Sequence, residues 1–137
     1  MNKILLIITG SIAASRCKEI IALLNINEVK ISCILTKEAK KYVKISDIKK
    51  LLKNRIFTDE DEKKNKMLHI NLSRDNDIIV MCPATANSIA KFANGYGDNL
   101  ASNTLLASNK KILFVPAMNS FMWHNKINQK NVRLLKD

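Results

Sequence analysis

Apolar positions along this chain fall into two alternating rhythms, one of strands and one of helices. Lys3–Ile8 is a continuous apolar run closed by Thr9-Gly10-Ser11, the pattern of a strand buried on both faces and followed by a turn. Ile12–Leu24 then takes helical spacing, and Ile12, Ile20, Ile21 and Leu24 are predicted to share one face. Val29–Leu35 alternates Val29, Ile31, Cys33 and Leu35, which predicts a strand. Lys37–Lys53 reads as a Lys-rich helix in two pieces, broken near Ser46-Asp47, with Ser46 or Asp47 capping the second piece. Phe57–Lys66 is acidic and then basic without apolar periodicity, and reads as an exposed loop.

The second half repeats the alternation. Asp77–Cys82 is a buried strand closed by Pro83, and Ala86–Ala93 a helix stopped around Gly95-Tyr96-Gly97. Leu100–Ala107 supplies a further helical turn or two, and Ile112–Val115 a strand closed by Pro116. Phe121–Leu135 is predicted as one helix, with Lys and Arg near its C-terminal end, where the helix dipole favours them. Strands alternating with helices imply an α/β fold, a parallel sheet with helices on both faces. Ligands of such sheets lie outside the carboxyl ends of the strands. Here those ends carry Thr9-Gly10-Ser11, Thr36-Lys37, Pro83-Ala84-Thr85-Ala86-Asn87 and Pro116-Ala117-Met118-Asn119. No internal repeat or linker interrupts the pattern, so residues 1–137 read as a single domain.

Composition narrows the classes. With 47% hydrophobic and 26% charged residues, the chain can bury a core and is not of disordered type. Only 3 Gly and 2 Pro exclude collagen-like, linker-rich and turn-dense all-β designs. Aromatics at 5% argue against base-stacking platforms. The net charge of +11 comes from 19 Lys and only 4 Arg. Specific phosphate and base readout favours the planar Arg fork, so the charge points to a solvated basic surface that attracts an anionic ligand, and not to nucleic-acid binding.

Cys17, Cys33 and Cys82 form no CxxC and no metal-ligand spacing, and Cys33 and Cys82 sit in apolar runs as buried small hydrophobes. A reducing, cytoplasmic setting is the expectation. The N-terminal run resembles a signal peptide, but Thr9-Gly10-Ser11 cuts its apolar part short, and Arg16 stands where a lipoprotein site before Cys17 needs a small residue. No run approaches the ~18 apolar residues of a membrane span.

Candidate chemistry gathers at the strand ends. Gly10-Ser11 opens a helix, whose unpaired N–H groups and dipole suit a phosphate; any tight strand-to-helix turn also uses Gly-Ser. Pro83-Ala84-Thr85-Ala86-Asn87-Ser88 offers a flat backbone with short polar groups, fit to lie against a ring and hydrogen-bond its edge, or to cap a helix through Thr85 or Asn87. Asn119 can cap the last helix or present its amide to a carboxylate. His69 is either a surface or satisfied residue or a candidate acid–base group. Asp59-Glu60-Asp61-Glu62 reads as a solvated run or a helix start.

Taken in order, Gly10-Ser11-Ile12-Ala13-Ala14, FTDEDE at Phe57–Glu62, HINL at His69–Leu72, PATANSIAKFANGYGDNLAS at Pro83–Ser102 and PAMNSFMW at Pro116–Trp123 form a distinctive set. The set resembles the flavin-containing cysteine decarboxylases, nearest the branch acting on 4′-phosphopantothenoylcysteine in coenzyme A synthesis. The resemblance implies a three-layer flavodoxin-like or Rossmann-like sheet, homotrimeric assembly, and FMN bound near a subunit interface. It assigns Gly10, Ser11, Ile12 and Thr36 to FMN, continued by Thr85, Ala86, Asn87, Ser88 and Ala117. It gives Asn119 to the substrate carboxylate and makes His69 the catalytic histidine. In that family a proton-donating cysteine, a substrate flap and a final strand and helix follow the last helix read here, and residues 1–137 are expected to lack them. The other functions compatible with these residues are a flavin-binding regulatory subunit without turnover, the remnant of a split gene, and a flavin prenyltransferase, for which PAMN and HINL are a poorer match.

Overall fold

A computed structural model of the chain describes residues 2–53 and 55–136. Five strands pair in parallel in the order β3-β2-β1-β4-β5: β1 Lys3–Ile8, β2 Lys30–Leu35, β3 Ile56–Phe57, β4 Ile78–Ala84 and β5 Lys111–Pro116. Between them run α1 Cys17–Ile26, α2 Ile45–Leu52, α3 Asp59–Lys64, α4 Leu68–Arg74, α5 Ala86–Ala93, α6 Leu100–Leu106, α7 Ser120–His124 and α8 Lys126–Lys136. The sheet is the expected α/β three-layer, parallel one, and its strand order reverses direction between β1 and β4.

Period-two alternation along the central strand builds two cores. Leu6 and Ile8 face one layer, with Ile21 of α1, Ile31 and Cys33 of β2, and Ile48 and Leu52 of α2. Leu5 and Ile7 face the other, with Leu72 of α4, Ile79 and Met81 of β4, and Leu100 and Leu105 of α6. Each such fully buried Leu or Ile contributes about 1.5–3 kcal/mol. Both faces of β1 are therefore apolar, which is why its sequence is an unbroken run. Among the described residues no helix is long and apolar enough to cross a membrane.

Several elements depart from the sequence reading. Residues Ile12–Arg16 form a tight 3-10 turn, and the α-helix begins only at Cys17. The tighter winding turns Ile12 outward, 78% exposed, and places Ala14 in the core instead. The Lys-rich segment is a 3-10 turn, Glu38–Lys41, followed by α2; the break falls before Ile45, and neither Ser46 nor Asp47 caps it. Buried Ala39 and Val43 draw the chain into the core at that break. Phe57 pairs with β2, and Asp59–Lys64 is a helix, which agrees with the helix-start reading of the acidic run and not with a loop over Phe57–Lys66. That helix buries no residue, so periodicity could not reveal it; a capping box between Thr58 and Asp61 holds it.

β4 continues through Pro83 to Ala84 across a cis Cys82–Pro83 bond. His69 lies inside α4. The expected last helix is two, because the Asn125 side chain accepts from Ile127 N at 2.9 Å and starts α8 afresh. Cys33 is buried as expected, whereas Cys82 is only half-buried and Cys17 is buried.

Candidate functional site

The reversal between β1 and β4 opens a crevice at their carboxyl ends. Thr9 closes its base: the buried hydroxyl donates to the Pro83 carbonyl and ties the two strand ends together. Ala117 N donates to Ala84 O at 3.1 Å, which docks the loop after β5 on the same end.

A cavity of about 200 Å³ occupies this crevice. Thr9, Gly10, Thr36, Thr85, Asn87 and Ser88 line its polar side, and Met81, Phe92 and Leu105 its apolar side. Of the residues picked out from sequence, Gly10, Thr36, Thr85, Asn87 and Ser88 are thus brought together, with Ser11, Ile12 and Ala86 adjoining them in the chain. His69, Ala117 and Asn119 do not line it.

Gly10 is required by close packing. A Cβ there would overlap the Cβ of Glu38 and stand 3.1 Å from its backbone carbon. The Ser11 hydroxyl accepts from Ala13 N at 3.2 Å, which leaves its proton to give outward. Thr36 is more committed: its hydroxyl donates to Ile8 O at 3.1 Å and accepts from Ala39 N at 3.3 Å. It can shape the crevice but has no side-chain donor left for an anion. Thr85 caps α5, accepting from Ser88 N at 3.1 Å and pairing with Ser88 Oγ at 2.9 Å. When Thr85 is the donor in that pair, the Ser88 proton is free to point into the cavity. Asn87 is exposed at the rim.

Hydroxyl donors above an apolar floor suit a flat heteroaromatic ring with an anionic tail. The volume is below the roughly 300–1,000 Å³ of pockets that enclose a ligand of that size. This crevice alone therefore holds part of such a ligand.

Two of the residues picked out from sequence, His69 and Asn119, lie away from the cavity. His69 Nδ1 is 3.3 Å from Glu62 Oε2 without making a hydrogen bond to it. The Asn103 amide reaches both Glu62 oxygens, at 3.3 and 3.4 Å. Asn119 caps α7, accepting from Met122 N at 2.9 Å through Oδ1 while its exposed amide NH2 remains available to a ligand. Among the described residues no cluster of His, Cys, Asp and Glu could hold a metal ion.

Sequence reasoning missed Glu62, Asn103, Lys91 and Ser102. Ser102 was findable, since Asn99-x-x-Ser102 is a reciprocal cap opening α6. Lys91 lines the cavity and pairs with Asp98 at 3.1 Å, and that ammonium holds the Asp98 carboxyl below its ordinary value. Glu62 and Asn103 carry no local signal, because they meet only through the packing of α3 against α6.

The flavoprotein family profile matches residues 1–137. The chain is 32% identical to a probable phosphopantothenoylcysteine decarboxylase of Streptococcus mutans, over 98% of this chain and 78% of that one. It is 33% identical to epidermin decarboxylase of Staphylococcus epidermidis, over 99% and 74%. The crystal structure of the FMN-dependent cysteine decarboxylase SpaF superposes with a TM-score of 0.92 at 29% identity, covering 99% of this chain and 79% of that one.

Proposed function

Because this chain belongs to the flavoprotein family, we propose that it is an FMN-dependent decarboxylase that converts 4′-phosphopantothenoylcysteine to 4′-phosphopantetheine in the cytoplasm, a step of coenzyme A synthesis. The observation that carries this reading is the crevice between β1 and β4, with Gly10 on one side and the Thr85–Ser88 turn on the other. When bound, FMN would supply a two-electron oxidation of the substrate cysteine, which permits loss of carbon dioxide, and would return those two electrons to the enethiol that remains, giving the thiol product.

The residues divide the remaining work. Gly10, Ser11 and Ile12 hold the phosphate, through the backbone N–H groups of Gly10 and Ile12 and the outward proton of Ser11, whose own N–H is bonded to Thr9 O. Thr85, Ala86, Asn87, Ser88 and Ala117 hold the ring, and Thr36 fixes the strand end beneath them. His69 takes the thiol proton, with Glu62 stabilising the imidazolium that forms. Asn119 orients the carboxylate with its free amide. The net charge of +11 favours a phosphorylated substrate over a neutral one.

A crevice too small for the whole ligand supports a homotrimer in which a second copy completes the site. Phe121, 90% exposed next to Asn119, supplies apolar surface for that contact. A stable monomer in light scattering that binds FMN tightly would contradict the assembly.

Anaerobic mixing of the FMN-loaded protein with 4′-phosphopantothenoylcysteine tests the activity. Transient bleaching of the flavin absorbance, release of carbon dioxide and formation of 4′-phosphopantetheine are expected. A peptide ending in cysteine, run in parallel, separates the small-molecule substrate from the peptide kind that the likeness to the structure of a peptidyl-cysteine decarboxylase raises. Tight FMN binding with neither substrate decarboxylated would favour a regulatory flavoprotein.

A further inference from the structure

Cys17 and Cys82 take no part in the proposed decarboxylation, yet the fold places them together. Cys17 opens α1, directly after the turn that follows Ser11, and Cys82 lies in β4 just before Pro83. Cys17 Sγ lies 3.3 Å from the Cys82 carbonyl oxygen and donates to it. Both side chains lie on the same face of the sheet, where Cys82 packs against the buried cluster that contains Cys17. A thiol that touches the backbone of Cys82 and shares a cluster with its side chain has the Cys82 sulfur as a neighbour. Their exposures differ in a useful way: Cys17 is 1% exposed, while Cys82 is half-buried and open on one side. Cys33, wholly buried in the neighbouring strand, is closed to solvent.

We propose that Cys17 and Cys82 form an oxidisable pair, a modification site that hydrogen peroxide converts into an intrachain disulfide. The outer sulfur reacts first. Cys82 thiolate attacks peroxide, the O–O bond breaks, and Cys82 sulfenic acid and hydroxide result. The Cys17 sulfur then attacks that sulfenic sulfur, its proton leaves with the hydroxyl as water, and the S–S bond forms. In sum two thiols and one peroxide give one disulfide and two waters, with two electrons passing from sulfur to oxygen. The neighbouring Cys17 side chain holds the Cys82 thiol below its ordinary value, which favours the thiolate. The same contact, together with burial, pushes the Cys17 thiol up, and it stays protonated until the second step. The bond would join α1 to β4 behind both loops that bracket the crevice.

The test treats the full chain with stoichiometric hydrogen peroxide, blocks remaining thiols with iodoacetamide under denaturing conditions, and maps peptides without reductant. A Cys17–Cys82 cross-linked peptide, lighter by two hydrogens and restored by dithiothreitol, is expected in the natural chain and in Cys33→Ser. Cys17→Ala should instead stop at a sulfenic acid on Cys82 that dimedone traps, and Cys82→Ala should lose both products. Full alkylation of Cys17 and Cys82 after peroxide would overturn the proposal. So would a disulfide involving Cys33 or a disulfide between chains. The readout is independent of turnover, so it stands or falls apart from the decarboxylase reading.

Discussion

Glu62 Oε2 lies 3.3 Å from His69 Nδ1, and Asn103 holds both oxygens of that carboxylate from α6. The pair links two helices that sequence alone does not connect, and it puts negative charge beside the proposed base. His69→Asn should leave FMN bound and slow flavin bleaching by roughly 10²–10⁴-fold, the usual worth of a general base. Glu62→Gln keeps the shape and removes the charge, so kcat should fall about tenfold, or ~1.4 kcal/mol, with KM little changed. An unaltered kcat for Glu62→Gln would mean that the carboxylate serves only packing.

Asn119 has two tasks that one substitution can separate. Asn119→Asp keeps an oxygen that can cap Met122 N, and it places a like charge where the substrate carboxylate is proposed to sit. Thermal unfolding should stay within about 0.5 kcal/mol of the parent, as for a neutral surface change. KM should rise at least tenfold. Equal KM values would remove Asn119 from the substrate site.

Ser11→Asp follows the same logic on the cofactor side. Aspartate can still accept from Ala13 N, so the turn should form. Its charge about 4 Å from a phosphate costs ~4 kcal/mol at an effective dielectric of about 20. FMN affinity, followed by flavin fluorescence, should weaken by roughly 10²–10³-fold. Retained affinity would show that the phosphate lies elsewhere.

Gly10→Ala probes packing more than chemistry. The added methyl would overlap Glu38 Cβ and press on the Glu38 backbone, a part of the chain that cannot swing aside. Overpacking of this kind costs about 1–3 kcal/mol, which should lower Tm by roughly 3–10 °C. An unchanged Tm would mean that the Glu38 turn yields freely.

Much of the fold was written in local patterns. The β1 and α5 boundaries agree with the structure at both ends, because an unbroken apolar run and a Thr85 cap are each visible within a few residues. The reading failed where tertiary contact outweighs pattern. Helix α3 has no apolar face, and Asp59 fastens it by accepting from Leu100 N at 3.0 Å, a partner far along the chain. Ile12 looked like a core residue and is turned outward by the 3-10 winding. The crevice was legible as loops at strand ends, since strand order and handedness bring those ends together. Glu62 and Asn103 were not, because their meeting depends on side-chain directions fixed only once α3 and α6 pack.

The tie between Thr9 and Pro83 has a consequence in time. Every strand pairs in parallel, so no hairpin gives the sheet a local start, and β1 must wait for β4, a distant segment, before the crevice has two walls. The Gly10 turn and the Thr85 turn therefore meet at a late stage of the chain's collapse. A ligand that grips both can act as a latch on the finished sheet and not as a seed for it. Its hold adds RT ln(1 + [L]/Kd) to the assembled state, which slows opening of the β1–β4 seam without hastening its closure.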